Sequence, residues 1–168
     1  MAQITFKGIP IHTAAELPKT GSPAPDFRLT RSDLADVSLA DYQNRKLILN
    51  IFPSIDTPVC ANSVRRFNRE AGQLNNVVVL CVSKDLPFAH KRFCAAEGLD
   101  HVETASEYKD TRFSDAYGVR IQEGPLAGLF SRAIVVINEQ GMVTYTEQVP
   151  DITQEPDYPK ALSALADS

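Results

Sequence analysis

The chain predicts an α/β fold, a sandwich with helices packed on both faces of a mixed central sheet. Three observations point there. Twice, a short apolar run of strand-forming residues leads directly into a stretch with helical spacing: KLILNIFPS into VCANSVRRFNREAGQL, and NNVVVLCVS into LPFAHKRFCAAEG. A third unit, HVETAS followed by DTRFSDAYGV, repeats that order. Finally, SRAIVVIN and MVTYTEQV, joined by the polar turn Glu139-Gln140-Gly141, read as a closing antiparallel hairpin.

Ile4 to Thr13 alternate apolar and polar residues around Lys7-Gly8, which predicts a small N-terminal β-hairpin ahead of the main fold. Gly21 to Pro25 is a connector, followed by FRLT, the DVSLADY stretch and the strand Leu47 to Phe52. Thr57 then reads as an N-cap whose hydroxyl closes the helix end, with Pro58 at the first helical position, where its missing N–H costs nothing. The second helical stretch has Pro87 near its start and Gly98 beyond its end. EGPLAG lacks a phosphate-loop pattern and reads as a flexible connection, and YPKALSALA as a C-terminal helix. There is no repeat, linker or low-complexity tract, so residues 1–168 are expected to form a single domain, with 1–15 as the hairpin extension.

With 43% hydrophobic and 23% charged residues, the 168-residue chain can bury a real core. A formal net charge of −4 carries no basic excess, and aromatics are not interleaved with Lys or Arg clusters, which argues against nucleic acid as a partner. MAQITFKGIPIHT lacks the apolar core of a signal peptide, and no apolar run approaches the ~20 residues that cross a bilayer, so a cytoplasmic location without membrane attachment is expected. Three cysteines make no disulfide scaffold. An odd count in a reducing compartment points to reactive rather than structural sulfur.

Cys60 is the sulfur to examine. It falls in the opening turn of a helix directly after a strand, where free amides and the positive helix end favour thiolate, the nucleophilic form. Thr57, three residues earlier, either simply caps the helix or also points at whatever the sulfur attacks; Pro53 either merely ends the strand or walls the pocket from water. Arg132 opens the apolar strand SRAIVVIN and is either a surface arginine paired with a carboxylate or the partner of a thiolate. A charge-assisted hydrogen bond from arginine is worth about 1.5–3 kcal/mol and a helix end roughly 0.3–1 kcal/mol, so arginine would dominate. Ionisation alone is a weak lever, because a cysteine of ordinary pKa is already about 3% thiolate at neutral pH. Donors aligned on the leaving oxygen must supply the rest.

Cys94 lies on a different helix and forms no Cys-x-x-Cys pair with Cys60; it is either a small core residue or a second redox sulfur. A disulfide between the two requires Cα atoms within ~4.4–6.8 Å, which two separate helices reach only by local rearrangement. Cys81, inside VVVLCVS, is assigned to the core; His90, one helical turn before Cys94, either tunes that cysteine or, beside Lys91 and Arg92, is solvated, and the solvated reading is the one expected. The cysteines and histidines show no paired ligand spacing, so no metal is expected.

PSIDTPVC carries a Pro-x-x-x-Thr-x-x-Cys signature, and with GSPAPDF, CVSKDLPFAHKRFCAAEGL, DAYGV, GPLAGLFSRAIVVIN and EPDYPKAL the chain resembles the peroxiredoxins, specifically the thiol peroxidase subgroup of atypical two-cysteine type, over nearly its whole length. The resemblance implies a thioredoxin-like fold with an added N-terminal hairpin. It also implies Cys60 as the peroxidatic cysteine, Thr57, Pro53 and Arg132 as active-site residues, and Cys94 as the resolving cysteine. The implied antioxidant cycle reduces hydrogen peroxide and alkyl or lipid hydroperoxides through a sulfenic acid and an intramolecular disulfide, which thioredoxin recycles, without metal or organic cofactor. A homodimer packed near the active site is implied as well. The competing readings are a thiol-disulfide oxidoreductase on the same fold, which the missing Cys-x-x-Cys argues against, and a non-enzymatic redox sensor.

Overall fold

In the computed structural model, which describes residues 1–166, the chain opens with an antiparallel hairpin of β1 (Gln3–Phe6) and β2 (Ile9–His12). Its turn is Lys7-Gly8, both at positive φ (52° and 83°), a geometry glycine adopts without steric penalty. Ile4 and Ile11, directly opposite each other, bury against Ile121 and Ile152 in a small apolar cluster. The hairpin is therefore bolted to the body of the fold.

The main sheet has seven strands: β3 (Arg28–Arg31), β4 (Asp36–Ser38), β5 (Lys46–Ile51), β6 (Val77–Ser83), β7 (Glu103–Ser106), β8 (Ala133–Ile137) and β9 (Val143–Gln148). Their order is β4-β3-β7-β6-β5-β8-β9. The central β5, β6 and β7 run parallel, as strands joined through helices must, while β8 and β9 on one side and β3 and β4 on the other pair antiparallel. The sheet is mixed, as the sequence predicts. DVSLADY divides into β4 and a 3₁₀ turn, Leu39–Tyr42, in which the Asp41 carboxylate accepts the Ser38 amide at 2.7 Å.

Side-chain alternation splits the core. Leu47, Leu49 and Ile51 of β5 and Val135 of β8 face one cluster with Phe27, Phe113, Tyr117 and Phe130. Ile48 and Phe52, with Ile134 and Val136, face the other, which α1 (Pro58–Ala71) and α4 (Tyr158–Ala166) cover with Val64, Phe67, Ala161 and Leu165. α2 (Pro87–Glu97) adds Phe93 to that second face, and α3 (Arg112–Tyr117) covers the first. A buried Leu, Ile or Phe is worth about 1.5–3 kcal/mol, so this double-sided burial is what holds the strands in register.

α3 must stop at Gly118: its φ is +73°, and a Cβ there would sit 2.6 Å from the Glu16 carbonyl oxygen. EGPLAG departs from expectation. It is an internally bonded turn, with Ala127 donating to the Gly124 carbonyl and Gly128 to that of Ile121, and Leu126 packs on the hairpin cluster.

Candidate active site

α1 begins a short loop after β5, at the carboxyl edge where parallel strands deliver working groups. Pro58 occupies the first helical position and Thr57 the N-cap, with φ −98° and ψ 147°. The first amide bonded back along the helix is that of Ala61, donating to the Thr57 carbonyl at 2.9 Å. The amides of Val59 and Cys60 thus lie ahead of the hydrogen-bond ladder. Cys60 itself is fully buried, in the cluster of Ile48, Phe52, Ile55 and Phe67, and Pro53, in the loop before the helix, is buried as well.

The expectation for Thr57 needs correcting. Its hydroxyl does not cap the helix; it donates to the Ser54 carbonyl at 2.9 Å, as its own amide does at 3.2 Å. That turn takes the one hydroxyl proton, and the oxygen lone pairs, which a cap would offer to an amide of the first helical turn, accept from none of them.

Arg132 immediately precedes β8. Ile51 pairs with Ala133, and alternation then places Arg132 on the face of Ile134 and Val136, the face against which Cys60 packs. The side chain is 2% exposed, which rules out a surface ion-pair role. Nε donates to the Ile152 carbonyl at 2.9 Å, and Nη1 is buried without a hydrogen-bond partner among the described residues. The phenol of Tyr158 is close enough to feel the guanidinium charge; burial nevertheless pushes its pKa up, with Glu155 adding to the rise.

All three cysteines are free. Cys81 is fully buried, and burial pushes its thiol up to about 12, against a hydrogen bond from Asn50 Nδ2 at 3.7 Å and with a contribution from nearby Cys94. It belongs to the core, as predicted. Cys94 is half-buried and lines a recess of about 300 Å³ with Arg31, Leu99, Val102 and Glu103; burial raises its pKa as well. Among the described residues no group of three or more His, Cys, Asp or Glu is assembled to hold a metal ion.

His90 is a second correction. It is completely buried rather than solvated, with Nε2 2.8 Å from Ser83 Oγ and 3.8 Å from Asp85 Oδ2, and burial lowers its pKa to about 4 against the opposing pull of Asp85. Helical spacing turns Lys91 and Arg92 outward while His90 faces the sheet. Asp85 is the residue that sequence reasoning missed: it binds Ser54, Ile55 and Ser83 together. The available signal was an acidic residue just before the helix-opening Leu86-Pro87, which reads locally as a cap, whereas Leu86 holds the N-cap position and the carboxylate turns to the neighbouring loop.

These features define a redoxin: a thioredoxin-like sheet with a buried cysteine opening the helix after a central strand. The Redoxin family matches residues 19–162. The chain is 56% identical over 165 residues to the thiol peroxidase of Mycobacterium tuberculosis, covering 98% of this chain and 99% of that protein, and 48% identical over the same length to that of Corynebacterium glutamicum. A peroxiredoxin-like protein from Aquifex aeolicus has the same fold with a TM-score of 0.93, at 34% identity and covering 99% of this chain and 97% of that one. The thiol peroxidase from Chromobacterium violaceum superposes with a TM-score of 0.89 at 21% identity, covering 99% and 97%, a likeness of fold. The chain belongs to the Redoxin family and, within it, to the thiol peroxidases.

Proposed function

We propose that the chain is a thiol-dependent peroxidase in which Cys60 attacks the peroxide, Thr57, Pro53 and Arg132 shape and polarise its pocket, and Cys94 resolves the product. One observation carries this reading: a buried thiol in the opening turn of α1 shares a sheet face with a buried guanidinium whose Nη1 has no partner among the described residues. A buried donor left unpaired is unfavourable, and a thiolate with a bound peroxide supplies the acceptors.

The Cys60 thiolate forms an S–O bond as the O–O bond breaks; sulfur becomes sulfenic acid, and the leaving oxygen takes up a proton as alcohol or water. Negative charge develops on that oxygen, so a fixed cation and free helix amides stabilise the transition state more than the ground state. The Thr57 oxygen, its proton committed to Ser54, is suited to accept the peroxide O–H. Cys94 then displaces hydroxide from the sulfenic sulfur, which leaves as water, and an S–S bond forms. Burial disfavours the Cys94 thiolate while α2 is intact, so local unwinding both ionises this sulfur and brings it within reach. A thioredoxin dithiol returns two electrons and two protons.

Hydrogen peroxide and alkyl or lipid hydroperoxides are the proposed substrates, in the cytoplasm; no helix among the described residues is long and apolar enough to cross a membrane. A homodimer meeting near the site is supported by Leu86 and Phe88, exposed at 51% and 64% at the start of α2. The whole chain is taken as one functional domain. Mixing reduced protein with peroxide in a stopped-flow instrument tests the reading: rapid stoichiometric loss is expected, and none from Cys60→Ser. Insulin reduction without peroxide loss would indicate a thiol-disulfide oxidoreductase, and one slow oxidation without thioredoxin-driven cycling a sensor.

A further inference from the structure

Asp85 joins the loop after β5 to the end of β6 through three hydrogen bonds. Its Oδ1 accepts the Ser54 hydroxyl at 2.8 Å, and its Oδ2 accepts the Ile55 amide at 2.7 Å and the Ser83 hydroxyl at 2.6 Å. Ser54 and Ile55 belong to the loop that delivers Thr57 and Cys60; Ser83 ends β6. Ser83 Oγ has one proton, given to Asp85, so toward His90 it can only accept, which makes Nε2 the protonated ring nitrogen and leaves Nδ1 bare. Nδ1 is indeed buried with no partner among the described residues. The chain of bonds therefore runs from the Cys60 loop through Asp85 and Ser83 to His90, one helical turn before Cys94 on α2.

We propose that Asp85 is a positioning residue that latches the Cys60 loop to the Cys94 helix, so that the two must be released together before a disulfide can form. The inference rests on the peroxidase reading above. Asp85 touches neither sulfur; it acts through Ser54, Ile55 and Ser83. Closed, the latch holds the first turn of α1 in the geometry that meets peroxide. Open, it lets the ends of α1 and α2 unwind toward the short Cα separation a disulfide needs. Latch strength therefore sets how long the sulfenic acid waits, and with it the competition between disulfide formation and overoxidation to sulfinic acid.

Asp85→Asn keeps one acceptor oxygen and replaces the other by an NH2 group that only donates, so either the Ser54 bond or the Ile55 and Ser83 bonds are lost; Ser54→Ala removes the Ser54 bond to Asp85, together with the Asp56 amide's bond to Ser54 Oγ, and serves where the first variant fails to fold. Two measurements are made on reduced full-length protein. Amide hydrogen exchange, which needs no peroxide, should rise in residues 53–61 and 84–94 together, about tenfold or more in Asp85→Asn, with β8 and β9 unchanged. After one equivalent of hydrogen peroxide, Cys60 oxidation should slow while the disulfide forms faster, and mass spectrometry should find that about threefold more peroxide is needed for half-sulfinic Cys60. Exchange that is unchanged, or raised in only one of the two segments, overturns the latch. So does normal exchange coupling with slower disulfide formation. Wild type that never consumes peroxide defeats the peroxidase reading instead, visibly and separately from the exchange result.

Discussion

Arg132 Nε donates to the Ile152 carbonyl at 2.9 Å, and the Ile152 amide in turn donates to the Thr5 carbonyl at 2.9 Å. The guanidinium is thus braced by a backbone segment that the N-terminal hairpin holds in place. Asp151 completes the brace: its carboxylate accepts the Thr5 hydroxyl, the Gly8 amide at 3.1 Å and the Thr153 amide at 2.9 Å. These bonds hold its pKa well below the usual carboxylate range.

Arg132→Ala should slow the reaction of Cys60 with peroxide by at least about tenfold, equivalent to ~1.4 kcal/mol in the barrier. Arg132→Lys should recover only part, since an ammonium cannot offer both Nε to Ile152 and a second donor in the guanidinium plane. Asp151→Ala, remote from the sulfur, should slow the same step several-fold through the loosened brace and lower stability by about 1–2 kcal/mol. Stopped-flow oxidation and urea unfolding measure both; an Asp151→Ala rate equal to wild type would show that the hairpin has no hold on Arg132.

Thr57→Ser should keep near-wild-type rates because the hydroxyl and its bond to the Ser54 carbonyl survive. Thr57→Val should slow peroxide reduction strongly while costing only about 1 kcal/mol of stability, the worth of one hydrogen bond rather than of a helix cap. A stability loss of ~2 kcal/mol with unchanged kinetics would reverse that assignment.

Cys94→Ser should leave the first oxidation intact and abolish thioredoxin-driven turnover, with Cys60 accumulating as sulfenic and then sulfinic acid. Mass spectrometry of the intact protein after peroxide reads this directly. An undiminished intramolecular disulfide in the variant would identify Cys81 as the resolving partner instead.

His90 gives a pH dependence with a defined sign. Its folded-state pKa is depressed from 6.5 to about 4, so folding favours the neutral ring. Stability from this group is complete above pH 6.5 and is lost as pH falls toward 4, because the unfolded chain takes up the proton first. His90→Gln keeps an N–H donor for Ser83 without titrating, so its urea midpoint should fall less than that of wild type between pH 7 and pH 4.5. Parallel curves for the two proteins would contradict the assignment.

Cys60 and Thr57 were legible because strand, turn and helix start are written in consecutive residues. The Thr57 hydroxyl was misread because the sequence shows only that the residue stands at a helix start; whether its oxygen meets a first-turn amide is set by the folded loop, which turns the hydroxyl onto the Ser54 carbonyl. His90 was misread because a polar neighbourhood in sequence says nothing about which helix face meets the sheet; Ser83, seven residues away on β6, decided it. For Arg132 the sequence left a surface role and an anion-binding role open, and burial beside β8 removed the first.

By itself the sequence determined the order of elements, the mixed sheet, the hairpin and the placing of one cysteine at a helix start, since local periodicity and turn chemistry act over a few adjacent residues. Only the tertiary structure decided that Arg132 shares the Cys60 face, that Ile152 holds it, and that Asp85 ties two loops together. Those facts depend on contacts between segments far apart in the chain; for Arg132, a shift of one residue in the β5–β8 pairing would turn the guanidinium to the opposite face.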